Sequence, residues 1–64
     1  MNEWTFRVKD GRLTAYKNDE KYATVALDAN PETAYLVYER LFERTGFEWW
    51  GALMDYYKKE ATHV

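Results

Sequence analysis

The chain has no cysteine, no serine, a single histidine, a single proline and three glycines. Each scarcity removes a class of explanation. Without cysteine there is no disulfide, and the redox compartment stays open, with an inclination towards the cytoplasm. A zinc site loses its usual ligands, because the one histidine is His63, next to the last residue, where chain ends fray and a solvated tail is expected. Nucleophilic catalysis loses serine and cysteine, and the threonines have no histidine or lysine at a spacing that would activate them. Gly-rich phosphate loops, the HExxH metal motif and the calcium-loop pattern are all missing. No apolar run approaches the ~18 residues of a membrane span, and no charged-then-apolar leader opens the chain. The expectation is a soluble protein with no cofactor, no membrane partner and no enzymatic activity.

What is present is aromatic. Three tryptophans, six tyrosines and three phenylalanines crowd a chain of 64 residues, which is long enough for one domain, residues 1–64. A domain of this size buries only about 60% of the surface its unfolded form exposes. Each ring would bury roughly 150–250 Å², so a surplus of rings at the surface is expected, where tyrosine and tryptophan favour interfaces. The net charge of −2 argues against generic binding to nucleic acid. Charge is slightly uneven: residues 1–21 hold five basic and four acidic side chains, residues 22–64 four and seven.

Trp4, Phe6 and Val8 alternate with Thr5 and Arg7, the period of a half-buried strand, and Asp10-Gly11 supplies a two-residue hairpin turn. That turn pairs Lys9 with Arg12, Val8 with Leu13, Phe6 with Ala15 and Thr5 with Tyr16. A third strand places Ala23, Val25 and Leu27 on one face. An odd-length loop before it would pair Tyr16 with Tyr22 and keep the inner face apolar, whereas a two-residue loop would set Ala15 against Tyr22. Asn30-Pro31-Glu32 announces a helix with an inward stripe of Ala34, Val37, Tyr38 and Leu41, and Gly46 ends it. Thr45 with Glu48 reads as a capping box for a second helix, centred inward on Trp50, Leu53, Met54 and Tyr57, with Ala52 opposite. The expected fold is α+β, a three-stranded antiparallel β-meander followed by two α-helices packed on one face (β-β-β-α-α). Strands fall at about 3–9, 12–17 and 21–27, and helices at about 31–44 and 46–60.

Three surfaces are candidates for binding. The apolar arc of the second helix covers about half its circumference, more than the ~100° one packed face requires, and Trp49 and Tyr56 form its margin. With Leu36, which points away from the first helix's apolar stripe, they make a candidate partner surface, the cheapest partner being a second copy. The outer sheet face, with Thr5, Arg7, Thr14, Tyr16, Tyr22 and Thr24, offers stacking and hydrogen bonding to a protein loop or a nucleotide-like ligand. The basic hairpin, with Arg7, Lys9, Arg12, Lys17 and Lys21, is the route to nucleic acid, disfavoured by the acids interleaved with it. Glu32, Glu39 and Glu43 form an acidic stripe on the first helix. Asp28 and Asp55 are the carboxylates acid–base chemistry would need to bury.

The leading expectation is therefore a non-enzymatic protein-interaction module, self-associating, that regulates or inhibits a larger macromolecular partner. Free-standing domains of this length often serve as phage-type or accessory inhibitors, a base rate that no residue of this chain supports directly. The alternatives are a small-ligand or nucleotide sequestering protein using the Tyr/Arg sheet face, and nucleic-acid binding by the basic hairpin.

Overall fold

A computed structural model describes residues 3–62, so His63 lies outside the described residues. Asp10 and Gly11 both take positive φ, 51° and 72°, and fold strand β1 (Trp4–Lys9) back on β2 (Arg12–Lys17). The pairing runs Lys9 to Arg12, Val8 to Leu13, Phe6 to Ala15 and Thr5 to Tyr16, as the alternation predicts. Strand β3 (Glu20–Ala26) joins β2 on the other side, giving an antiparallel sheet in the order β1-β2-β3. The β3 end is tied back to the first hairpin, where the Leu27 N–H donates to the Gly11 carbonyl at 3.0 Å.

The second turn differs from the odd-length loop expected. Asn18 and Asp19, with φ of 52° and 69°, make a two-residue turn, so Lys17 pairs with Glu20 and Tyr16 with Lys21. A bulge then inserts Tyr22, and regular pairing resumes with Ala15 opposite Ala23 and Leu13 opposite Val25. The bulge solves the register conflict that argued against a short loop: one extra residue restores the apolar face without lengthening the turn.

Helix α1 (Pro31–Thr45) begins as its sequence dictates. The Asn30 side chain accepts from the Thr33 N–H at 3.2 Å, and Pro31 occupies the first helical position. It ends at Gly46, whose φ of 66° lets its N–H donate to the Phe42 carbonyl at 2.7 Å. Thr45 closes α1 rather than capping the next helix: its hydroxyl donates to the Leu41 carbonyl and accepts from the Phe47 N–H. Helix α2 (Glu48–Thr62) follows.

The core joins Leu13 and Ala15 of β2 to Ala34 of α1 and to Trp49, Ala52, Leu53 and Tyr57 of α2. Two expectations need correction. Val37 is 49% exposed, because α1 packs along Ala34 and Tyr38 and leaves Val37 at its margin. Ala52, expected outside, is 6% exposed. The reason is that α2 has two packed sides: Trp49 and Tyr56 meet rings of the sheet, while Trp50 and Tyr57 stack on Tyr38 of α1. A helix gripped from both sides needs an apolar arc twice the usual width.

Candidate functional site

The α2 margin packs against the sheet. Trp49 is 8% exposed, with its ring centroid 5.7 Å from that of Trp4 and 5.1 Å from that of Tyr22. Tyr56 is half-buried against Phe6, centroids 5.0 Å apart. Both rings are spent on holding helix to sheet. Leu36 is 56% exposed on α1 and does not join the core cluster to which Trp49 and Tyr56 belong.

Tyr22 is also displaced from its expected place. The bulge turns it to the helix side, where its ring stands edge-on to Trp4 with centroids 5.0 Å apart. Trp4, Tyr22 and Trp49 thus form a three-ring cluster at one end of the sheet. Lys17 covers it, with Nζ 5.6 Å from the Trp4 ring centroid and an ion pair to Glu48 in the first turn of α2. No Tyr–Tyr pair therefore stands on the outer sheet face, and the nucleotide clamp expected from Tyr16 and Tyr22 loses one jaw.

What the outer face does hold is charge of one sign. The alternation that sends Phe6, Val8, Leu13 and Ala15 towards the helices sends Thr5, Arg7, Lys9, Arg12, Thr14 and Tyr16 away from them. Lys21, opposite Tyr16, and Thr24, opposite Thr14, complete the face. The Arg7 guanidinium lies over the Tyr16 ring at 5.7 Å, and the Thr14 and Thr24 hydroxyls hydrogen-bond to each other at 3.1 Å. An open depression of about 560 Å³ is lined by Lys9, Arg12, Thr14, Lys21 and Thr24 together with Asp10 of the turn. The face carries four cations, and no acid occupies an outward strand position among the described residues; the one strand acid, Glu20, pairs with Lys17 on the helix side.

In sequence these cations are mixed with acids. In space they are sorted. Glu3 precedes β1, Asp10 and Asp19 occupy the two turns, and Glu20 pairs with Lys17 on the helix side. Removing the four face cations from nine leaves five basic residues against eleven acidic ones for the rest of the molecule. The chain is thus +4 at the outward strand positions and −6 elsewhere, with Asp10 of the first turn the one acid lining the same depression. The signal was legible in the alternation, since each acid sits off the outward positions of β1 and β2.

The acidic stripe survives only in part. Glu39 is half-buried and accepts from the Tyr35 hydroxyl at 2.7 Å, which raises the Tyr35 pKa from its ordinary 10.0. Glu32 and Glu43 remain exposed. Asp28 and Asp55 are exposed as well, so neither has the burial that acid–base work would require.

Among the described residues no group of three or more histidine, cysteine, aspartate or glutamate side chains is placed to hold a metal ion. No described helix is long and apolar enough to cross a membrane. What the fold and the face define is a three-stranded, two-helix α+β protein with one bare, cationic sheet surface. No protein family model, curated protein or solved structure matches the chain.

Proposed function

We propose that this protein is a non-enzymatic interaction module that regulates or inhibits a larger protein by seating its outer sheet face on an acidic surface of that partner. The observation that carries the reading is the sorting of charge: Arg7, Lys9, Arg12 and Lys21 share a face that no helix covers and that no strand acid neutralises. An antiparallel sheet can leave one face to water, and polar side chains then occupy its outward positions. A one-signed face attracts a partner of opposite sign, speeds encounter and fixes orientation.

A compact acidic protein surface suits it better than a nucleic acid. A three-stranded face is only about 10 Å across and about 20 Å long. A polyphosphate carries a charge every few ångströms along its whole length. It would run past this face and meet the acidic remainder of the molecule. Single-strand binders also line their groove with several stacking rings, and here Tyr16 stands alone on the face with Arg7 already over it.

The test is an amide-resolved NMR titration at low ionic strength with poly-L-glutamate and, separately, with oligo-dT. Poly-L-glutamate should shift the amides of Thr5, Arg7, Thr14, Lys21 and Thr24 while leaving those of α1 and α2 in place. The Arg7→Glu/Arg12→Glu variant, with unchanged circular dichroism, should lose the response. Stronger and similarly confined shifts with oligo-dT would replace the protein partner by a single strand, and silence with both polymers would end the proposal.

A further inference from the structure

Helix α1 has a second face that no other described residue covers. Leu36 is 56% exposed and Val37 49% exposed, and with Thr33, Glu39 and Arg40 they line an open groove of about 400 Å³. Thr33, Leu36, Val37 and Arg40 stand at i, i+3, i+4 and i+7, the four corners of the hole into which a side chain of a facing helix packs. The charges around that hole follow a rule of their own. Glu32 lies one turn before Leu36 and Arg40 one turn after it. Among the described residues Arg40 makes no ion pair, and Glu32 makes none either.

We infer that α1 is the contact surface of a symmetric homodimer, in which a second copy lays its own α1 antiparallel across this one, Leu36 of each seated in the other's hole. A two-fold axis near Leu36 brings every residue opposite the one equally far on the other side. Arg40 then meets Glu32 of the second copy, twice by symmetry. A parallel arrangement would instead set Arg40 beside Arg40 and Glu32 beside Glu32. The sequence thus reads as complementary to itself in one direction and repulsive in the other, which selects a second copy over an unrelated helix. The surface is separate from the outer sheet face, so either proposal can fail while the other stands.

A helix of 15 residues is about 22 Å long, and its face falls well short of the ~800 Å² per partner of tight complexes. The dimer should therefore be weak, with a dissociation constant on the order of 10⁻⁵ to 10⁻³ M. Sedimentation velocity of the full chain up to roughly 1 mM should show mass rising with concentration, and added salt should suppress it. Leu36→Lys, Glu32→Arg and Arg40→Glu, each with unchanged circular dichroism, should weaken association at least about tenfold, because every change is felt twice across the axis. An equimolar mixture of Glu32→Arg with Arg40→Glu chains provides the decisive arm. Between those two chains both contacts regain opposite signs, so the mixture should recover dimer that neither variant forms alone. A wild-type chain that stays monomeric throughout, a dimer indifferent to Leu36→Lys, or a mixture no more associated than its components would overturn the inference.

Discussion

At the residue scale, the turns show where the chain accepts local strain to keep the sheet in register. Positive φ is costly for a residue with a Cβ, by about 1–2 kcal/mol, and less for Asn and Asp. Asp10-Gly11 uses glycine at its second position, but Asn18-Asp19 places Asp19 at φ 69° without that freedom. Asn18 has a reason to stay: its side chain accepts from the Glu3 N–H at 3.0 Å, and its N–H donates to the Glu3 carbonyl at 2.8 Å. Asp19 makes no such bond to the rest of the sheet. Asp19→Gly should therefore stabilise the protein by about 0.5–1 kcal/mol, read as a higher urea midpoint at unchanged slope. Gly11→Ala, at φ 72° with open space around it, should destabilise by about 1 kcal/mol or more for the converse reason.

At the element scale, α1 and α2 approach closely because Gly51 leaves room for the Phe42 ring. A Cβ built on Gly51 would lie 2.9 Å from Phe42 Cε1, nearer than real Cβ contacts come. Gly51→Ala thus sets two effects against each other. Alanine gains up to about 1 kcal/mol of helix propensity, while overpacking typically costs 1–3 kcal/mol. The clash should win in the wild type, giving a net loss of about 1 kcal/mol in a urea melt. In a Phe42→Ala background the clash is gone and the same change should stabilise, so the two substitutions should not add.

The same elements mark how far the sequence could be read. The β1–β2 pairing and both ends of α1 were legible, since Asp10-Gly11, Asn30-Pro31 and Gly46 are signals that act within a few residues. The bulge at Tyr22 was not, because a two-residue turn plus one extra residue gives the same apolar face as a longer loop. Trp49 and Tyr56 were misplaced because a wide apolar arc does not say whether its margin meets a sheet or a partner. Of the cationic face, Arg7 was singled out and its neighbours were discounted for acids that lie close in sequence but, Asp10 apart, off the outward positions of the sheet.

At the scale of the whole molecule, the rings are the scaffold and the charges are the surface. Twelve aromatic side chains looked like too many for so small an interior, yet Tyr16 is the one that stands on the outer sheet face. Most of the others form two layers of ring contact, sheet to α2 and α2 to α1. That economy makes tyrosine ionisation a global matter. Tyr38 is stacked between Trp50 and Tyr57, both centroids 5.7 Å away, and burial raises its pKa above the ordinary 10.0, with Tyr57 and the Asp28 carboxylate adding to the effect. Tyr56 is raised likewise, first by burial and then by the charge of Glu60. A raised pKa in the folded form means that the unfolded chain gives up its proton first as pH climbs. Stability from these groups is complete below pH 10 and declines as pH passes through 10 towards the folded values. Urea midpoints should be flat approaching about pH 9 and fall by about pH 11. Tyr38→Phe, which keeps the stacked ring and removes the ionising hydroxyl, should fold and show a shallower decline than the wild type. An identical decline in both would mean that Tyr38 is not a group whose ionisation opens the contact between the two helices.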